Sequence, residues 1–316
     1  MSAGSEKIAV LLLAHGTPER VEQVPEFLLK VTGGRPLPPK VVEEIQHRYS
    51  LIGCSPLTQY TLKQAEALAR EVKLPVYVGM RNWKPLISDT VREMGADGVQ
   101  RAIAICLAPH DSRTSVGLYR KAVLDVTPPF PVEFIDNWHD HPLLARAFAE
   151  KLGAGWERAC REMGRRVPVI FTAHSVPQRT IAEGDPYEEQ ARETAALVAM
   201  QVPRLTVDDW TFAFQSQGMS GGAWLGPTVE ETILQLKAKG HGGVFIQAIG
   251  FLCDHVEVLY DVDIMFREFA EKNGMRLWRA ESLNESPALV AALADVARSR
   301  LGAGEPAKAV ARIKVQ

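Results

Sequence analysis

The sequence predicts an α/β fold in which parallel sheets, covered on both faces by helices, recur in two related halves. Three observations carry the prediction. Runs such as Ile8–Ala14, 99–107 and 243–249 are largely apolar, which suits strands buried on both faces and not half-solvated hairpins. These runs alternate with amphipathic stretches long enough for the crossover helices that parallel strands require. The third observation is a repeated design. LLLAHGTPER (11–20) and VIFTAHSVPQR (169–179) each show an apolar run, Ala-His, two residues, Pro, one residue and Arg, about half a chain length apart. Each half is therefore expected to deliver a histidine, His15 or His174, at the C-terminal end of a buried strand, where open α/β sheets bind ligands.

From the N-terminus, Ile8–Ala14 is the first strand, and His15-Gly16-Thr17-Pro18 ends it. Residues 33–39 are a loop by composition. Residues 40–49 read as helix, and 58–71 as an amphipathic helix with Leu62, Ala65 and Leu68 at helical spacing. Strands at 75–80, 99–107 and 132–135 are separated by helices at 86–94 and 115–123. A long helix over Pro142–Met163 bridges into the second half. There, strands at 167–173, Trp210–Gln215, 243–249 and 275–279 alternate with helices at 185–200, 228–239, 256–271 and 287–300. Asp185 and Pro186 suit a cap and first turn, and Thr228 and Gly240 suit the two ends of the next helix. The expected lobes are 1–136 and 137–316, with a loose tail from 301 and a C-terminal helix that packs back on the first lobe.

Composition narrows the function. The chain has 316 residues, 46% of them apolar and 23% charged, and can bury a large core. A formal charge of −2 without a dense basic tract gives no reason to expect a nucleic-acid partner. Cys54, Cys106, Cys160 and Cys253 lack CxxC spacing, which argues for a reducing compartment and against a disulfide scaffold or structural zinc site. The first residues lack the pattern of a signal peptide, and no apolar run approaches the roughly 20 residues that span a bilayer. A cytoplasmic protein without a transmembrane segment is expected.

Two stretches could do chemistry. His174 could act as a base near neutral pH, or could satisfy backbone groups of its own loop. Asp254-His255-Val256-Glu257 leads to Asp261; on a regular helix Glu257 and Asp261 share a face, with Asp254 as the cap. Carboxylates and an imidazole at neighbouring strand ends could pass a divalent ion such as iron, or protons. Nucleotide chemistry is not expected. Gly218-Met219-Ser220-Gly221-Gly222 precedes no Gly-Lys-Ser/Thr, and the first strand leads into no GxGxxG; a GxSxG hydrolase elbow is also absent.

Seven segments together resemble the ferrochelatases, most closely the short bacterial type that acts on coproporphyrin. They are AHGTP (14–18), RYSLIGCSPL (48–57), LAPHDSRTS (107–115), TAHSVP (172–177), GDPYEEQ (184–190), FQSQGMSGGAWLGPTVEE (214–231) and GFLCDHVEVLYDVD (250–263), in family order over nearly the whole chain. The resemblance implies a chelatase-like fold of two Rossmann-like lobes with a tetrapyrrole cleft between them. It implies insertion of ferrous iron into a porphyrin, most readily coproporphyrin III, with release of two protons and no required cofactor. Protoporphyrin IX as substrate, another tetrapyrrole chelatase using cobalt or nickel, and a non-catalytic haem carrier are the alternatives.

The family's catalytic histidine matches His174 and its cleft glutamate Glu257; both are expected to meet the metal. Asp261 matches the outward carboxylate row and Arg48 an arginine beside that outer site. Arg113, Ser112, Thr114 and Ser115 are expected to receive propionates, with Tyr119, Trp224 and the Met219 loop as walls. Two departures stand out. His15 replaces the usual tyrosine on the face opposite His174, so it is expected to contact the porphyrin and to ligate product haem. Met265 replaces the next acid of the row, so only weak magnesium binding is expected there. A monomer is expected, handing haem to an acceptor protein.

Overall fold

A computed structural model describes residues 6–217 and 222–301. Its first half runs β1 (Ile8–Ala14), α1 (Val24–Val31), α2 (Pro39–Leu51), α3 (Leu57–Val72), β2 (Val76–Met80), α4 (Ile87–Ala96), β3 (Arg101–Cys106), α5 (Val116–Leu124) and β4 (Val132–Ile135). Helix α6 (Pro142–Met163) follows, then β5 (Val169–His174), α7 (Gln178–Ala182), α8 (Tyr187–Gln201), β6 (Trp210–Gln215), α9 (Val229–Ala238) and β7 (Gly243–Ala248). The chain then forms a short α10 (Val256–Leu259), a π-turn (Asp261–Phe266), α11 (Arg267–Lys272), β8 (Arg276–Arg279) and α12 (Pro287–Arg298).

Two four-stranded sheets, in the orders β2-β1-β3-β4 and β6-β5-β7-β8, are parallel at every pairing. The repeated strands β1 and β5 occupy the same place in their sheets, between the edge strand (β2 or β6) and the inner strand β3 or β7. The twofold strand period sorts side chains between layers. Val10, Leu12 and Ala14 of β1 and Val169, Phe171 and Ala173 of β5 enter one core that is shared by both halves through α6, α8 and α12. Ala9, Leu11 and Leu13 face α4 and α5 instead, and Ile170 faces α9. Phe148 of α6 is fully buried in the shared core, where truncation to alanine costs about 3–5 kcal/mol.

The halves are also joined by polar contacts. His110 Nε2 lies 3.0 Å from Thr194 Oγ1, Gln190 Oε1 accepts from the Asp111 N–H at 2.6 Å, and the Ser112 hydroxyl donates to Asp185 at 3.1 Å. Helix α12 returns to the first lobe, where the Arg298 guanidinium donates to Glu71 at 2.8 Å. No helix among the described residues is long and apolar enough to cross a membrane.

Two expectations need correction. The segment 256–271 is not one regular helix. It is broken by the π-turn, in which the amides of Ile264 and Met265 both converge on the Tyr260 carbonyl. Met265 therefore does not continue the Glu257–Asp261 face and packs against the core beside α9. Nor does Asp254 cap α10: its carboxylate accepts from Ser282 Oγ at 2.7 Å and Asn284 Nδ2 at 2.9 Å, leaving His255 as an N-cap without a side-chain bond. Helices α1 and α7 were not expected; α7 is a single short turn, whereas Val24, Phe27, Leu28 and Val31 of α1 do recur at helical spacing. Helix α1 adds Val24, Phe27 and Leu28 to a small cluster with Tyr49 and Trp83.

Candidate active site

His174 is the last residue of β5, and its backbone is fixed on two sides. Its carbonyl accepts from the Tyr187 hydroxyl at 3.0 Å. Gly250, just beyond β7, passes so closely that an added Cβ would lie 2.9 Å from Ala173 Cα. The imidazole donates from Nδ1 to the Ser175 carbonyl. In the neutral ring this leaves the Nε2 lone pair exposed, and that atom lies 3.7 Å from Glu257 Oε1. Both side chains remain about one-third exposed, open to the cleft. The Trp224 ring stands 6.5 Å from the imidazole.

Glu257, in the first turn of α10, is held through its backbone. Thr172 Oγ1 donates to Gln215 Oε1 at 2.7 Å, and Gln215 Nε2 donates to the Glu257 carbonyl at 2.7 Å. Its second oxygen lies 3.5 Å from His255 Nε2, whose ring donates from Nδ1 to the Cys253 carbonyl at 3.0 Å. Burial opposes the Glu257 charge, yet the surrounding His174, His255 and His15 imidazoles outweigh it and lower its pKa to about 2. Burial likewise opposes charge on His255, and the hydrogen bond and charge of Glu257 outweigh it, raising that pKa above its ordinary value. The sequence reading overlooked His255; its position two residues before Glu257 was the available signal.

His15 follows β1 and faces this group from the other lobe. Gly16 turns at φ +81°, and a Cβ there would lie 2.8 Å from the Trp83 amide nitrogen, so only glycine fits. The His15 ring donates from Nδ1 to the Gly16 carbonyl at 3.0 Å and accepts at Nε2 from the Asn82 amide at 3.0 Å. Burial, reinforced by Arg81, lowers its pKa to about 4, so it stays neutral at physiological pH. The Arg81 guanidinium lies over the Tyr119 ring at 5.4 Å and makes no hydrogen bond or ion pair among the described residues, while its backbone N–H donates to the Ala14 carbonyl at 3.0 Å. This unpaired cation was also missed, because nothing local in the sequence marks it.

Asp261 is 6% exposed and accepts a hydrogen bond from Ser216, itself in the left-handed region at φ +58°. Burial and the Glu257 charge raise its pKa to about 6. Arg48 on α2 pairs with Glu44 and covers the Tyr260 ring at 5.1 Å, with a buried Nε that has no hydrogen-bond partner. Among the described residues, no three His, Cys, Asp or Glu side chains converge as a preformed metal cage.

The residues expected to hold propionates sit differently. Ser112 is buried, and its hydroxyl donates to Asp185 at 3.1 Å, tying the lobes together. The Arg113 amide also donates to Asp185, at 2.8 Å, while its guanidinium reaches the Thr180 carbonyl at 2.9 Å and Glu183 at 2.5 Å. Thr114 is exposed beside Ser112, and Ser115 precedes α5 without a side-chain cap bond. Tyr119 is buried against the first sheet. Met219 lies outside the described residues.

Two parallel-sheet lobes with histidines at facing strand ends and a carboxylate between them define a chelatase-like protein. The solved structure of SirB from Bacillus subtilis with Fe3+ is similar in fold, with a TM-score of 0.61 at 12% identity, over 94% of this chain and 96% of that one. A ferrochelatase family model matches residues 7–301. The chain is 53% identical to the ferrochelatase of Acidobacterium capsulatum, covering 94% of this chain and 95% of that relative. It is 33% identical to the coproporphyrin III ferrochelatase of a Geobacillus strain, covering 94% and 98%. The chain belongs to the ferrochelatase family and is an enzyme of that class, a lyase that inserts metal into a porphyrin.

Proposed function

We propose that the protein inserts Fe2+ into coproporphyrin III, with His174 as proton acceptor and Glu257 as its electrostatic partner. The carrying observation is the His174 ring: Nδ1 is committed to the Ser175 carbonyl, and Nε2 points toward Glu257 with its lone pair free. A pyrrole proton accepted at Nε2 makes an imidazolium, which the ionised Glu257 stabilises at 3.7 Å. His255, on the other carboxylate oxygen, helps keep Glu257 ionised for this role. Arg81 supplies a cation for a propionate, assisted by Thr114 and Ser115. Trp224 and the Met219 loop would wall the macrocycle, while Tyr119 backs Arg81 from the core and Arg113 and Ser112 hold the lobe joint that shapes the cleft.

On this reading iron is substrate, and no resident cofactor is needed. Magnesium binds weakly at Asp261, because its carboxylate is buried against Ser216 and Met265 brings no further oxygen ligand. The reaction is placed in haem biosynthesis in the cytoplasm, with a monomer passing its product to an acceptor protein. The coproporphyrin reading rests on the motif resemblance; relatives at 33% and 34% identity bear that substrate in their names, whereas the relative at 53% identity is named only as a ferrochelatase.

Anaerobic metallation kinetics with coproporphyrin III and protoporphyrin IX side by side test the substrate. Preference for protoporphyrin would overturn the subtype, and turnover of neither with tight haem binding would replace it by a carrier. In the same assay His174→Ala should lower the rate by at least about 100-fold while porphyrin affinity stays within a fewfold. A near-wild-type rate would remove the assignment of His174.

A further inference from the structure

The acid-bearing segment 255–261 is locally unfavourable at both ends. Its first helix begins at a His255 N-cap that makes no side-chain bond, leaving the orphan amides of a four-residue helix without the usual partner. It runs into a π-turn, a geometry rarely stable by itself and mostly found where function demands it. Something outside the segment must hold it.

One guanidinium reaches both ends. Arg279, the last residue of β8, grips Asp263 in a fork, Nε to Oδ1 at 2.7 Å and Nη2 to Oδ2 at 2.8 Å. The same Nη2 lies 3.2 Å from Asp254 Oδ1, while Nη1 donates to the Ala280 carbonyl at 2.9 Å. The Arg279 side chain is 17% exposed, so these charge-assisted bonds are poorly screened. Asp254 is anchored in turn by Ser282 and Asn284, and Asp263 by Arg267 at 3.7 Å. The two aspartates bracket His255, Glu257 and Asp261.

We infer that Arg279 is a positioning residue for the active site: its fork on Asp254 and Asp263 fixes the π-turn and so aims Glu257 at His174 and Asp261 at Ser216. It touches none of the reacting groups. Resting on the ferrochelatase reading for its kinetic consequence, the inference has a geometric consequence that does not depend on it. Without the fork, the turn relaxes toward a regular helix, which rotates the residues around it and parts Asp261 from Ser216.

Arg279→Lys keeps the charge but cannot bridge two carboxylates in a plane. Its crystal structure should show a regular 261–266 segment without the Asp261–Ser216 bond. Its kcat should fall about tenfold, with a displaced rate–pH profile and with porphyrin affinity, read by fluorescence quenching, within twofold of wild type. Asp263→Asn weakens the same fork without leaving a buried arginine unpaired, should show a smaller loss of the same kind, and replaces the lysine variant if that does not fold. An intact π-turn overturns the inference, as does an unchanged kcat and pH profile with only a lowered Tm. If wild-type protein fails to metallate any porphyrin, the functional reading falls, and the crystal comparison alone decides the role of Arg279.

Discussion

Single residues set the state of each group in the cleft. His15 and His174 have the same bond from Nδ1 to a following carbonyl, Gly16 or Ser175, so both present Nε2 to the cleft. They differ in what meets that atom: Glu257 for His174, the Asn82 amide for His15. For His15 to ligate product haem, Asn82 must release it; the low pKa of about 4 keeps the ring neutral and able to coordinate. The visible spectrum of the haem complex should therefore change in His15→Ala, and Asn82→Ala should strengthen the ligation. Identical spectra for wild type and His15→Ala would end the idea. The repeated histidines were legible because strand-end position is encoded by adjacent residues. Their tautomers were not, because the partners come from the turn geometry around them.

At the level of elements, strand and helix boundaries follow local pattern. Helix α9 shows why: Thr228 accepts from the Glu231 amide at 3.1 Å, and Glu231 accepts from the Thr228 amide at 2.9 Å. This reciprocal cap is written in four consecutive residues. Thr228→Ala should lower the unfolding free energy by about 1 kcal/mol in urea titration, and equal stability would contradict the capping role. The segment after β7 behaves otherwise. Residues 256–271 read as one helix, yet Ser282, Asn284 and Arg279 engage Asp254 away from the cap position and Arg279 holds Asp263 in the π-turn. Residues from another part of the chain thus outweighed the local preference.

Across the whole molecule, the lobe joint carries buried polar groups. His110 is 2% exposed and sits 6.2 Å, ring to ring, from His139. Burial, aided by His139, lowers the His110 pKa to about 3. The unfolded chain therefore takes up this proton first as pH falls. Stability from the neutral ring is complete above about pH 6.5 and is lost progressively toward about pH 3. At pH 5 the loss is about 2 kcal/mol relative to pH 7. His110→Gln, which keeps a hydrogen-bonding group beside Thr194 but cannot titrate, should show a correspondingly smaller drop between those pH values. An equal drop in both proteins would place the pH sensitivity elsewhere.

The sequence alone determined the parallel strands, the two-part plan, the delivery of His15 and His174 to strand ends and the place of Glu257 in the segment that follows β7. Those features depend on burial periodicity and on neighbours a few residues away. Only the tertiary structure decided which charges are already paired. Ser112 and Arg113 read as free polar groups on a loop, until Asp185 and Glu183 from the other half meet them. Arg81 has no marked sequence context, yet it stands without an acid among the described residues, over Tyr119. Pairing is a long-range property: the charge that neutralises a side chain comes from wherever the folded chain brings one close, and no local pattern records it.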